Sequence, residues 1–346
     1  MDTAGYTNRR GEQYVVHVLP DKAPMVTLRS RGVRRVVCPS AIIPLLVGAE
    51  DDYGVGGIRI LYRLGIPESD SPGGKSPKTA EEPPYVLVAT PIPASPDVRK
   101  LLRGERILDI EPLKLAPTAH LYVRADAFDL LPKELGGPNL SSSGVLSFRV
   151  ITREELLGQL IGKQKEVHVE FFQAMGQQAL ARGRSESVVS ELAGGPKTID
   201  VDVPRKLADS VNGQRQFANE SVKAADTLEA VAEEMELNRL GEVEDYQMIR
   251  SGIVQPLREL VEDMRSVITD FDEAKDIKDV AALLLKTRLI AEKQKSIYRR
   301  MEDILAHMKK LETRLELARR LEGLLKMSIE LDAILKERLD KKTGEL

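Results

Sequence analysis

Tryptophan is absent from the 346 residues, aromatic side chains make up only 4%, and there is a single cysteine, Cys38. One cysteine excludes an internal disulfide framework and a multi-cysteine metal centre. Nowhere do about 18 apolar residues run without interruption, so no segment reads as a membrane span. The N-terminal stretch is polar and mixed, unlike a signal peptide. A dominant charge sign is lacking too. Against 54 Asp and Glu stand 51 Lys and Arg, a net −3, without the basic excess of a dedicated nucleic-acid binder. What remains is 42% hydrophobic and 30% charged, enough for sizeable cores, and long enough for two domains.

Proline divides the chain. Sixteen of its 19 prolines lie at or before Pro138. Proline locks φ and removes a backbone donor, so it punctuates strands and loops and is expelled from helix interiors. The first part therefore reads as strand and loop, the rest as helix. Apolar runs bounded by turn residues predict strands at Gln13–Leu19, Pro24–Arg29, Val33–Cys38, Ile43–Ala49, Gly57–Leu64, Tyr85–Ala89, Ile107–Leu113, Ala119–Asp126 and Val145–Ile151. In Gly57–Leu64, Ile58, Ile60, Tyr62 and Leu64 alternate with Arg59 and Arg63. About seven such strands over roughly 100–130 residues predict an immunoglobulin-like sandwich over 20–151. Pro67–Pro84, rich in proline, serine and glycine, reads as a long surface loop. Residues 1–19 read as the closing strand of a preceding sandwich. The Pro20–Pro24 run would then be an inter-domain joint, and the chain the C-terminal part of a longer protein.

Thr152-Arg-Glu-Glu155 is a capping box directly after the last strand, and a helical region follows over 152–271. Helices are expected at about 153–182, 204–239 and 243–271, the last kinked at Pro256. Over 274–342 the spacing is the clearest feature of the chain. Val280, Leu283, Thr287, Ile290, Gln294, Ile297, Met301, Ile304, Met308, Leu311 and Leu315 recur three and four apart, as in a coiled-coil seam. The phase then shifts to Leu317, Leu321, Leu324, Leu331 and Leu335, which implies a change of partner or winding. The fold class is thus α+β and multidomain, a sandwich followed by an all-α bundle or long coiled coil.

Chemistry-bearing motifs are few. Gly74-Lys75-Ser76 lacks the first glycine of a phosphate loop and runs into Pro77. Gly54-Val-Gly56-Gly57 precedes a strand rather than a helix, so it reads as a turn. His17, His120, His168 and His307 show no ligand spacing, and Cys38 has no adjacent base. No catalytic residue and no cofactor site is assigned. One cluster stands out: Asp21, Glu50, Asp51, Asp52, Asp126 and Asp129, which a sandwich brings to one end. Calcium favours several carboxylate oxygens; Asp51-Asp-Tyr-Gly54 is equally a good turn sequence in which such acids cap amides.

Ala49-Glu-Asp-Asp-Tyr-Gly-Val-Gly-Gly-Ile-Arg-Ile-Leu-Tyr62, Leu121–Asp129 and Gly137-Pro-Asn139 resemble large bacterial envelope proteins. In those, tandem immunoglobulin-like or cadherin-like domains follow a membrane anchor and a helical region closes the chain. Glu233–Leu240 and Gln255-Pro-Leu257 are similar to the same proteins. The resemblance implies an envelope location. The expected function is a non-enzymatic structural or interaction protein, its sandwich a spacer or adhesion module and its helices binding protein partners or self-associating. The alternative is a calcium-dependent binding module.

Overall fold

A computed structural model describes residue 3 and residues 20–65, 84–88, 91–93, 100–196 and 198–343. The strand expected at Gln13–Leu19, and with it the remnant strand over 1–19, lies outside these residues. So do His17, the Gly74-Lys75-Ser76 run and the expected loop from Pro67 up to residue 83.

The N-terminal part is β. Its strands are β1 (Met25–Ser30), β2 (Val36–Val37), β3 (Ile42–Glu50), β4 (Val55–Gly65), β5 (Val86–Leu87), β6 (Ile92–Pro93), β7 (Leu101–Asp109), β8 (His120–Asp129), β9 (Leu140–Ser142) and β10 (Leu146–Val150). One sheet has the order β1-β3-β7. The other has the order β2-β10-β8-β4-β5, with β6 beside β4 and β9 beside β8. All pairs are antiparallel except β2 with β10. Successive side chains of a strand point to opposite faces, and the apolar ones converge. Ile43, Leu45 and Val47 of the first sheet share one core with Ile58, Ile60, Leu121, Val123, Ala125 and Phe148 of the second.

One strand expectation is corrected. Ile107–Leu113 is displaced: β7 ends at Asp109, and Glu111–Leu113 is a 3-10 turn built around Pro112, which cannot donate to a ladder. β7 itself, Leu-Leu-Arg-Gly-Glu-Arg-Ile-Leu-Asp, is an edge strand whose Leu101 and Ile107 are exposed. Its charges hide it from an apolar-run search while blunting a sheet edge. The short β6 and β9 were not expected.

The remainder is helical: α1 (Arg153–Ala193), α2 (Asp202–Leu237), α3 (Val243–Ile249), α4 (Gln255–Ala274) and α5 (Val280–Thr343). The Glu155 amide donates to Thr152 Oγ1 at 3.1 Å, so α1 starts where the cap places it. It continues past Arg182, through Gly183 and several serines, because Ala181, Ser185, Val188 and Leu192 keep a buried face at helical spacing. Packing outweighs the low helix propensity of those residues. The expected helix over 243–271 is interrupted. Arg250–Val254 form a π turn, with the Gln255 amide donating to the Arg250 carbonyl, immediately before Pro256. A wider turn there relieves the clash between the proline ring and the preceding turn. The last helix starts at Val280, and Ala274 ends α4 instead.

The helix α1 packs on α2 and α5, and α4 packs on α2 and α5, enclosing one core. With 64 residues, α5 is about 96 Å long at ~1.5 Å per residue; α1, with 41, is about 60 Å.

The β part and the helices are joined by more than the chain. Cys38 and Ile151 belong to the helical core, and Leu237 packs on the β core. Gly32, at φ +71°, lets the end of α2 approach: a Cβ there would lie 2.4 Å from Leu237 Cδ1.

Candidate functional site

Register places the acidic residues. Met25 pairs with Glu50, and Val55 with Asp129, so the end of β3, the start of β4 and the end of β8 share one pole. His120, at the other end of β8, pairs with Arg149 next to α1, so this pole is the one away from the helices. Strand parity then sorts the six acids. In β3 the inward series is Ile43, Leu45, Val47, Ala49, and Asp51 continues it. In β8 the series is Leu121, Val123, Ala125, Ala127, and Asp129 continues it. Both aspartates are therefore buried, at 6% and 2% exposure.

A carboxylate oxygen from each of Asp21, Asp51 and Asp129 lies within 4.8 Å of the others. Asp51 Oδ2 accepts the Tyr53 and Gly54 amides at 3.0 and 2.6 Å. Asp129 Oδ1 accepts the Leu131 and Asn139 amides at 3.0 and 2.9 Å. Gly56 permits the close approach of β4 to β8 here, since a Cβ would fall 2.5 Å from the Asp129 carbonyl oxygen. Desolvation, followed by the charges of Asp129 and Asp51, holds the Asp21 carboxyl above its ordinary pKa. The arrangement can hold a hard cation.

The other three acids fall elsewhere. Asp126 has the opposite parity from Asp129; it accepts from Ser142 Oγ at 2.7 Å and pairs with Arg124 at 3.2 Å. Glu50 and Asp52 are exposed and are not among the converging carboxylates.

The seam residues expected on the last helix are placed as follows. Leu283, Ile290, Ile297, Met301, Ile304, Met308, Leu311 and Leu315 are buried in the helical core, and Val280 packs partly buried against it. Thr287 and Gln294 are fully buried with them. Thr287 Oγ1 donates to the Leu283 carbonyl of its own helix at 2.8 Å, whereas Gln294 belongs to a polar layer that a single-helix pattern cannot reveal. Gln178 Nε2 donates to Gln214 Oε1 at 2.9 Å, Gln294 Nε2 reaches the same oxygen at 3.3 Å, and Ser185 and Ser210 hydroxyls meet at 2.9 Å. From Leu317 onward the helix face changes. Leu317, Leu321, Leu324, Leu325, Met327, Ile329, Leu331, Ile334 and Leu335 are all exposed. Leu325 and Ile329 also face an open groove of about 710 Å³ against Pro39, Ser40, Pro117 and Arg153.

Three histidines fall within the described residues, each against a separate neighbour. His120 stacks on Tyr122, His168 Nδ1 lies 3.4 Å from Glu312, and His307 Nδ1 lies 2.8 Å from the Asp303 carbonyl. The turn expected over Gly54–Gly57 is corrected: β4 already begins at Val55, Gly56 and Gly57 lie within it at a register shift against β8, and only Gly54, at φ +148°, precedes the strand. Glu312 is only 17% exposed at its side chain and faces Lys165, His168 and Lys309.

No family model and no curated protein matches the chain. A solved structure described as pT26-6p is similar over 86% of this chain and 49% of its own length, at 10% identity and a TM-score of 0.20. This chain thus spans about half of that one, and a likeness at that level carries no argument about fold or function. No helix among the described residues is long and apolar enough to cross a membrane.

Proposed function

We propose that the chain is a non-enzymatic structural protein of a bacterial envelope. In this reading the β part is an immunoglobulin-like sandwich held on the helical bundle as a spacer or adhesion module, and the helices self-associate. Two sheets, antiparallel but for the β2–β10 pair, closing on one core support the sandwich. The residues over Ala49–Tyr62 and Leu121–Asp129 that resemble envelope proteins support the location.

One observation carries the assembly role. The α5 seam is buried as far as Leu315, and beyond it a second apolar stripe, Leu317, Leu321, Leu324, Leu331 and Leu335, is exposed. Such a stripe on a helix is an unfilled half of a helix–helix interface. Its three-and-four spacing, flanked by charges of both signs, fits a second copy of the same helix. Leu324→Glu/Leu331→Glu tests this, because neither side chain contributes to the core of the single chain. Light scattering after gel filtration should show the assembly lost, with helical circular dichroism unchanged. An unchanged assembly, or a wild-type chain that is monomeric throughout, would remove the basis for this role.

A further inference from the structure

Asp51 and Asp129 are each more than nine-tenths buried, yet each uses only one of its oxygens. Capping the turn accounts for Asp51 Oδ2 and Asp129 Oδ1. It leaves Asp51 Oδ1, Asp129 Oδ2 and the neighbouring Asp21 Oδ1 buried without a hydrogen-bond partner. Among the described residues no Lys, Arg or His forms an ion pair with any of the three. Buried bare carboxylate oxygens are costly alone, and three of them together repel. The physical remedy is a cation, and no described side chain supplies one.

We propose that Asp21, Asp51 and Asp129 bind a calcium ion at the pole of the β part farthest from the helices. The donors are all anionic oxygens, which suit a hard cation; the softer nitrogen and sulfur ligands that favour zinc are missing from the cluster. The oxygens lie within 4.8 Å of one another. Three oxygens that close fit around one ion, and calcium, with bonds of about 2.4 Å and flexible coordination, accepts an irregular carboxylate set, whereas magnesium at about 2.1 Å demands a near-ideal octahedron. Water completes the shell at the exposed rim, beside Asp21. The ion joins three segments distant in sequence: the chain just before β1, the β3–β4 turn and the end of β8. Its role is to stiffen this pole, independently of what α5 does.

The test uses the full chain, stripped with a chelator and titrated with calcium chloride. Calorimetry should give one-site heat, and the melting temperature should rise by a few degrees at saturation. Magnesium chloride at the same concentration should give a smaller rise. Asp51→Asn keeps an acceptor for the Tyr53 and Gly54 amides but removes a charge. It should abolish the calcium response and, in chelator, melt above the chelated wild type. Asp21→Asn should abolish the response too. Asp126→Asn should retain it, because Arg124 and Ser142 hold that carboxylate away from the site. Absence of heat together with an unchanged melting temperature would overturn the proposal. So would a response that survives Asp51→Asn or Asp21→Asn, or an equal response to magnesium.

Discussion

Asn238 is the residue on which the two parts of the molecule meet. It is fully buried, its Nδ2 donates to the Glu234 carbonyl at 2.8 Å, and its Oδ1 accepts the Cys38 amide at 2.8 Å. One side chain thus finishes α2 and satisfies a backbone group of the β part. Around it Arg34 pairs with Glu234 at 2.7 Å, and Arg239, at φ +52°, grips Asp109 and Glu111. Desolvation pushes the Asp109 carboxyl up, but the Arg239 guanidinium and the Glu111 amide outweigh it and hold the pKa below the ordinary value. Asn238→Ala removes the buried acceptor of the Cys38 amide and the tie from α2 to the β part, at a cost of about 1–3 kcal/mol. Thermal unfolding followed by calorimetry should show a lower melting temperature and separation of the β and helical transitions. Unfolding as cooperative as in the wild type would show that Asn238 is not the latch.

Asp270 gives a second residue-scale prediction, on pH. Burial raises its pKa, but Lys286 at 2.8 Å and Lys293 at 2.5 Å outweigh that, and the net direction is down. A carboxyl depressed in the folded state stabilises fully above its unfolded pKa and loses that contribution as pH falls through its folded value. Stability measured by urea unfolding should therefore drop as pH falls from about 5 toward 2, and Asp270→Asn should flatten that drop. An identical pH profile in the variant would contradict the role given to this pair of lysines.

At the scale of elements, the seam of α5 makes the sharpest comparison. Ile297 is 1% exposed and Lys295, two residues earlier, is exposed. Ile297→Asp buries an unpaired charge and empties a packed site, for a loss of about 3 kcal/mol or more. Lys295→Ala should change stability by no more than about 0.5 kcal/mol. Denaturant midpoints that moved alike in both would disprove the assigned face. Gln294→Leu should be neutral or stabilising by about 1 kcal/mol, since Gln294 Oε1 has no partner and its amide bonds are long. A loss above about 2 kcal/mol would mean that the polar layer stabilises the bundle as well as setting its register.

What the sequence revealed about these elements follows from how local each cause is. The α5 seam and the Thr152 cap are written in consecutive residues, so spacing alone located them. The extension of α1 past Arg182 depends on partners in α2, where Ser210 answers Ser185, and no single-segment pattern carries that. β7 was misplaced because a charged edge strand looks like a loop. For the acidic pole, strand ends bring Asp21, Asp51 and Asp129 near one another. Parity, which is legible in the alternating series, excludes Asp126 and Glu50. The capping of single oxygens by backbone amides depends on the turn conformations themselves.

At the scale of the molecule, the β part is fixed to the bundle by Asn238, Arg34 and Arg239, and α5 presents a leucine stripe past the point where its own bundle stops covering it. Rigid attachment at one end and an open helical face are what a spacer that assembles through its helices requires. The most direct test is sedimentation equilibrium of the wild-type full chain across a wide concentration range. The account predicts a mass rising from 38.4 kDa toward twice that value, with assembly lost in Leu324→Glu/Leu331→Glu. A mass of 38.4 kDa at every concentration would contradict it.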